Sequence, residues 1–166
     1  MSHQPLKKKQ GYTLIELLIT VTIMALFFGI SLANHSRFTE EKKVSTDTQK
    51  FMDLMTLARQ KALASDTGTT CSGEFLGYSL VVNPTSYELH ARCQLDSPLI
   101  KATNFSSAIQ STTAQTINFD ALTAKSSASC VQIKNNNINL CYRVQVNPVG
   151  IISSDACSSC SSSCCP

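Results

Sequence analysis

The chain has 166 residues, of which 43% are hydrophobic, and a formal net charge of +3. This length accommodates one globular domain, provided that the longest apolar run lies outside that domain. The charge does not indicate a basic binding surface, because Lys7, Lys8 and Lys9 account for the whole excess and leave 11 basic and 11 acidic side chains elsewhere.

An apolar run follows these lysines, from Tyr12 to Ala33, with Glu16 as its one charged residue. About 22 residues in a helix rise about 33 Å, which is enough to cross a bilayer core. Lysines beside such a run keep its start cytoplasmic, so residues 34 onward are predicted to be exported. A cleaved secretory signal is the alternative, but the run is longer than such signals and no small-x-small site follows it.

The same helix is predicted to continue as an amphipathic segment over 34–66, so that it runs from Thr13 to Ala64, about 78 Å. Its apolar positions recur at three- or four-residue steps with one seven-residue gap; they are Val44, Phe51, Leu54, Met55, Ala58 and Ala62. The opposite face is predicted to be solvated and carries Glu40, Glu41, Lys42, Lys43, Asp47, Lys50 and Lys61. Turn-forming residues at 65–68 predict the helix end.

Residues 67–153 predict an antiparallel β-domain. Short β-prone runs are separated by turn residues; the runs are Tyr78–Asn83, Tyr87–Arg92, Gln115–Phe119, Cys130–Lys134, Ile138–Val146 and Gly150–Ser153. Turn residues at 83–86 and 135–137 favour hairpins and therefore a meander, whereas 97–114 is predicted to be a loop or an irregular edge. The predicted fold class is α+β, a long N-terminal helix packed on a small antiparallel sheet that disulfides stabilise.

A Ser/Cys-rich tail at 154–166 must be tied down covalently or stay mobile, because it cannot form a core. It holds four of the eight cysteines, Cys157, Cys160, Cys164 and Cys165. These four residues allow disulfides, a four-thiolate zinc site, or reactive and intersubunit thiols. An exported location favours disulfides, so no metal and no cofactor is predicted.

The other four cysteines lie in the predicted β-domain. Cys130 and Cys141 flank the predicted turn at 135–137, so a bridge across that hairpin is within reach, although its register is unknown. Cys71 and Cys93 could join the helix exit to the second strand. The full connectivity does not follow from the sequence.

No catalytic site is predicted, and the chain is not expected to be an enzyme. His3 precedes the apolar run, His35 follows it, and His90 stands alone in an alternating strand. The chain contains no nucleophile elbow, phosphate loop or metal-ligating histidine pair. The C-x-x-C at Cys157 lies in the serine-rich tail and not at a helix start in a βαβ unit. A membrane-anchored metal or redox protein is the remaining alternative of this class.

The most specific signal is KKKQGYTLIELL at 7–18. It resembles the processing site of class A type IV prepilins and pseudopilins, in which a basic leader, here 1–11, ends in glycine, an aromatic residue follows, and glutamate comes four residues later. The resemblance implies that a prepilin peptidase cleaves between Gly11 and Tyr12 and methylates the amine of Tyr12. It also implies that Glu16 acts in filament assembly.

The chemistry suits this spacing. Glycine at 11 places no side chain on an extended backbone that enters a protease cleft. An unpaired carboxylate at Glu16 would cost about 2.5 to 3.5 kcal/mol inside the apolar run. The resemblance implies pairing with the terminal amine of a neighbouring subunit, whereas snorkelling to the membrane surface is the alternative.

A second resemblance covers ARQKALASDTGTTC at 58–71, TINFDALT at 116–123 and YRVQVNPVGIISSDAC at 142–157. These stretches look like the GspH/FimT-type domain of minor pilins and pseudopilins. Some members of that group bind DNA through Gly-Arg-x-Arg, but the matching residues here are Gly150, Ile151, Ile152 and Ser153. DNA is therefore not expected as a partner, because the cations that supply non-specific affinity are missing.

Together the resemblances imply a minor pilin or pseudopilin in a pilus or a type II secretion pseudopilus. Many major pilins carry a proline near the end of the apolar half, which this chain lacks. The implied partners are prepilin peptidase, other pilin or pseudopilin subunits, an inner-membrane assembly platform, and the lipid bilayer before assembly. The implied location is the inner membrane as a single-pass protein, then an extracellular pilus or a periplasmic pseudopilus. A binding module at a filament tip, for DNA or a surface ligand in natural transformation or adhesion, is the alternative.

Overall fold

The computed structural model describes residues 12–67, 71–157, 159–161 and 164–165, without the side chains of 29–34. The predicted leader at 1–11 lies outside the described residues. In chain order the elements are α1 (Leu14–Leu63), β1 (Phe75–Val82), β2 (Ser86–Cys93), β3 (Leu99–Asn104), β4 (Ile109–Ser111), β5 (Gln115–Asp120), β6 (Ser129–Asn135), β7 (Leu140–Val146) and β8 (Ile152–Ala156). The chain divides into two compact units between Phe38 and Thr39.

Local signals define both ends of α1, and the predicted bounds of Thr13 and Ala64 are each within one residue of those observed. At the start, the backbone N–H of Glu16 donates to Oγ1 of Thr13 at 3.3 Å, as an N-cap does. At the end, Ser65 adopts a left-handed conformation with φ of 48°. The N–H of Asp66 then donates to the carbonyl of Lys61, which closes the last turn.

The unit at 39–166 contains two four-stranded sheets, with strand orders β3-β2-β1-β5 and β4-β6-β7-β8. Every strand pairing is antiparallel, as predicted. The prediction of one meander is wrong. The runs β1-β2-β3 and β6-β7-β8 are meanders, but β5 returns to β1 and β4 pairs with β6, so the strands form two sheets.

Strands β3 and β4 lie in the segment at 97–114 that was predicted to be a loop or an irregular edge. Both are edge strands, as the strand orders show. Most side chains of β3 are exposed, and β4 has only three residues. Neither strand needs a strong hydrophobic alternation, because each is held by the neighbouring strand on one side only.

The core lies between the amphipathic part of α1 and the sheets. All six apolar helix positions that the sequence predicts are buried, Val44, Phe51, Leu54, Met55, Ala58 and Ala62. Phe51 packs edge-on against Tyr87 of β2, with ring centroids 5.2 Å apart. Side chains of β2 alternate between buried and half-buried, which directs Tyr87 and Leu89 into this core. Full burial of one such side chain contributes about 1.5 to 3 kcal/mol.

Two acidic residues on the predicted solvated face of α1 are not exposed to solvent. The prediction is wrong at these positions. Asp47 is buried, and its carboxylate accepts hydrogen bonds from the backbone N–H of Ser106 at 2.6 Å and from its hydroxyl at 3.1 Å. Glu40, two helical turns earlier, accepts from Nδ2 of Asn135 at 2.9 Å and pairs with Lys43 at 2.5 Å. These two acids therefore attach the helix to the loop at Ser106 and to the end of β6, both distant in sequence.

The pKa of Glu40 is lowered from its ordinary value of 4.5, first by the hydrogen bond from Lys43 and then by the one from Asn135. A carboxyl whose pKa falls on folding adds stability above its unfolded pKa, and loses that contribution as the pH falls through the folded pKa. We expect Glu40→Gln to lower the melting temperature near pH 7, and the difference from wild type to shrink as the pH falls below 4.5 and through the lowered pKa of Glu40. Circular dichroism of the full chain in detergent measures both values.

Glu74→Gln removes the same charge at an exposed position before β1 and serves as the control for net charge. An equal pH-dependent loss in both variants would contradict a specific role of the Glu40 contacts.

Gly77 lies at the bulge in β1 with φ of +127°, and a Cβ there would come within 2.0 Å of the carbonyl oxygen of Phe119. We expect Gly77→Ala to destabilise the protein by roughly 2 to 5 kcal/mol, because backbone strain and a backbone clash add. Gly73→Ala is the matched control. Its φ is +89°, but the nearest atoms at 3.0 Å belong to the side chain of Gln94. Chemical denaturation measures the free energy of unfolding of both variants. An equal loss in Gly77→Ala and Gly73→Ala would contradict a backbone clash at Gly77.

Candidate processing and assembly site

The predicted cleavage site lies where the described chain begins. Gly11 falls outside the described residues, so the structure does not test the predicted bond. Tyr12 is 87% exposed and lies before α1 in non-helical chain, followed by the capping residue Thr13. The backbone on the Tyr12 side of the predicted bond is therefore accessible and not held in the helix.

Glu16 lies in the first turn of α1 and is exposed. Its backbone N–H donates to both Oγ1 and the carbonyl of Thr13. The Thr-x-x-Glu spacing is that of a capping box, and an acidic side chain in a first turn is stabilised by the helix dipole. This capping role was not predicted, although the Thr-x-x-Glu spacing is visible in the sequence. Among the described residues, nothing hydrogen-bonds to the Glu16 carboxylate.

The surface around Glu16 is apolar on all sides of the helix. Twelve large apolar side chains are exposed between 12 and 28, Tyr12, Leu14, Ile15, Leu17, Leu18, Ile19, Val21, Ile23, Met24, Leu26, Phe27 and Phe28. Their positions run around the helix and do not form one stripe, unlike the core face of an amphipathic helix. A continuous apolar surface of this kind indicates a non-aqueous environment or other protein.

Hydroxyl groups in this segment satisfy their own hydrogen bonds. Thr20 donates to the carbonyl of Leu17 at 2.9 Å, and Thr22 donates to that of Leu18 at 2.8 Å. Both bonds stay within the helix, so these side chains need no water.

In the part of the chain that the structure describes, no helix has the length and apolarity expected of a membrane span. The predicted span of 12–33 includes 29–33, whose side chains are not described. Its insertion into a membrane stays a prediction.

The eight cysteines form four pairs with Cα atoms 5.5 to 5.8 Å apart, Cys71–Cys93, Cys130–Cys165, Cys141–Cys160 and Cys157–Cys164. These distances suit disulfides. The structure thus brings together the predicted pair Cys71 and Cys93. It also ties the tail to β6 and β7, which is one of the two outcomes expected for that segment.

A bridge between Cys130 and Cys141, which the sequence left open, does not form. The register of β6 and β7 keeps the two cysteines apart. Cys130 lies opposite Gln145, and Cys141 lies opposite Lys134. The two cysteines are therefore offset by four positions along the hairpin, or about 13 Å. Each pairs instead with a tail cysteine.

A zinc site in the tail is not favoured by this geometry. Within the described residues, the one group of three potential metal ligands is Cys71, Cys93 and Asp96, and its two sulfurs form a disulfide. Cys160 and Cys165 pair with cysteines on different strands and do not converge on one point.

A cavity lies beside the tail and is bordered by Cys165. It measures about 710 Å³ and is lined by Thr113, Gln115, Ala128, Ser129, Cys130, Gln145, Val146, Asn147, Pro148, Ile151, Ser153 and Cys165. No titratable group is among these lining residues, so the cavity offers no cation to a phosphate. Gly150, which begins the stretch that resembles the DNA-binding motif, is buried in a turn and donates to the carbonyl of Asn147.

The N-terminal segment matches one known protein family. Residues 6–32 match the family described as the prokaryotic N-terminal methylation motif. No curated protein and no solved structure gives a significant match to the chain. The resemblance of later residues to a GspH/FimT-type domain stays a prediction. Residues 6–32 therefore carry the prokaryotic N-terminal methylation motif, which is the class A type IV prepilin motif.

Proposed function

We propose that the chain is the precursor of a minor pilin or pseudopilin, a structural subunit of a type IV pilus or a type II secretion pseudopilus. One observation carries the proposal. The methylation motif at 6–32 leads into a 50-residue helix whose residues 12–28 expose large apolar side chains on all sides. Such a segment suits both storage in lipid and packing among similar helices.

Processing is proposed to free the amine of Tyr12. A prepilin peptidase adds water across the amide bond between Gly11 and Tyr12 and releases 1–11. A methyl group then passes from a sulfonium methyl donor to the new amine, which loses a proton as the donor leaves as a thioether. The exposure of Tyr12 and its position outside α1 support this step, because a protease binds extended backbone. Removal of the lysines in the leader leaves the apolar helix at the new N-terminus.

Glu16 is proposed to select the docking position of the subunit. Its carboxylate has no hydrogen-bond donor among the described residues, and the surrounding side chains are apolar. In lipid or in a helical core, an ionised carboxylate is stabilised only when it is paired. The terminal amine of an adjacent subunit supplies a positive charge, so correct docking removes two unpaired charges together.

Storage in the membrane is proposed to precede assembly. The lysines at 7–9 keep the leader in the cytoplasm and direct the β-domain outward. The four disulfide-distance pairs agree with folding in an oxidising compartment. An inner-membrane assembly platform then moves the helix from lipid into the filament, where neighbouring helices replace lipid.

The first test is at the cleavage site. We expect Gly11→Leu to block processing, because a branched side chain at this position obstructs entry of the backbone into the peptidase. The full-length precursor should accumulate in membranes, as a gel shift and intact mass would show. Gln10→Ala is the matched control and should be processed like wild type. Efficient cleavage of Gly11→Leu would contradict the proposal.

The second test is at Glu16. We expect Glu16→Ala to be cleaved normally but to be recovered in sheared filaments at least about ten-fold less than wild type, since one unpaired terminal charge costs a few kcal/mol. Glu16→Asp keeps the charge and should recover part of the loss. Thr22→Ala is the control, because the Thr22 hydroxyl bonds only within its own helix. Normal incorporation of Glu16→Ala would rule out charge pairing.

A further inference from the structure

The order of the cysteines along the chain differs from the order in which they pair. Only Cys71 and Cys93 are consecutive cysteines that pair with each other. The pair Cys130–Cys165 encloses the remaining four cysteines in sequence, and Cys141–Cys160 interleaves with Cys157–Cys164. Oxidation that joins cysteines in the order of their export therefore gives one correct bond and several wrong ones.

The first wrong bond joins Cys130 to Cys141. These two residues are exported before the tail, and only 11 positions separate them, against 35 for Cys130 and Cys165. The shorter loop closes about six-fold more readily. In the folded hairpin, however, the two cysteines are offset by four positions along β6 and β7. A bond between them prevents this register, so it must be broken before the second sheet forms.

We propose that this protein is a substrate of a thiol-disulfide isomerase in the compartment where its β-domain folds. A thiolate of the isomerase attacks one sulfur of the Cys130–Cys141 bond, which breaks and releases the other cysteine as a thiolate. The enzyme is now joined to the chain by a mixed disulfide. A tail thiolate attacks that mixed disulfide, forms the native bond, and releases the isomerase thiolate unchanged.

Electrons balance both in the exchange of disulfides and in their formation from thiols. Exchange of Cys130–Cys141 and Cys160–Cys165 for Cys130–Cys165 and Cys141–Cys160 breaks two bonds and forms two, so it needs no oxidant. Formation of the four bonds from eight thiols releases eight electrons and eight protons. A disulfide-carrying thiol oxidase of the same compartment accepts them, and it is distinct from the isomerase.

The proposal rests on the proposed export of the β-domain, and one experiment separates the two. The full chain is expressed in bacteria that contain both periplasmic enzymes and in bacteria that lack only the isomerase. Blocked, non-reduced protein is digested and the disulfide-linked peptides are quantified by mass spectrometry. Without the isomerase, we expect Cys130–Cys165 to fall at least about five-fold and Cys130–Cys141 to accumulate. Cys71–Cys93 should form equally in both.

A double variant, Cys141→Ser with Cys160→Ser, is the matched control. It cannot form the early wrong bond, so Cys130–Cys165 should depend much less on the isomerase. Equal native pairing of the wild-type chain in both strains would overturn the proposal, and so would an equal loss of Cys71–Cys93 without the isomerase. Reduced cysteines in both strains would instead overturn the proposed export, and this inference with it.

Discussion

The strongest physical constraint on this chain is the removal of one apolar surface from water, that of residues 12–28. Twelve large apolar side chains are exposed there, and none of them belongs to the core of the β-domain. Each side chain of this kind contributes about 1.5 to 3 kcal/mol when it is buried. The free-energy gain from covering the segment is therefore large compared with the marginal stability of a domain.

The second part of α1 differs from the first, because its apolar side chains are not exposed on all sides. Its apolar side chains occupy one face and are buried in the core with Tyr87 and the other sheet residues. Asp47 and Glu40 add polar attachments to the loop at Ser106 and to Asn135 at the end of β6. One continuous helix thus carries two different patterns, an apolar surface on all sides over 12–28 and one buried apolar face in the part that stabilises the domain.

Features that depend on neighbouring residues were predictable, and features set by distant residues were not. The buried face of α1 followed from periodicity and its end from local turn residues. The buried state of Asp47 depends on Ser106, 59 positions away, which no local pattern indicates. The pairing of Cys130 likewise depends on the β6–β7 register and on where the tail returns. The cap at Thr13 was local and could have been found from its Thr-x-x-Glu spacing.

The central claim is that the apolar helix begins at a processed residue and ends up among other helices. The most direct measurement is the mass of the N-terminal peptide of the protein recovered from sheared surface filaments or from a purified pseudopilus. The account predicts a peptide that begins at N-methylated Tyr12 and contains none of residues 1–11. Recovery of assembled protein that still begins at Met1 would contradict it.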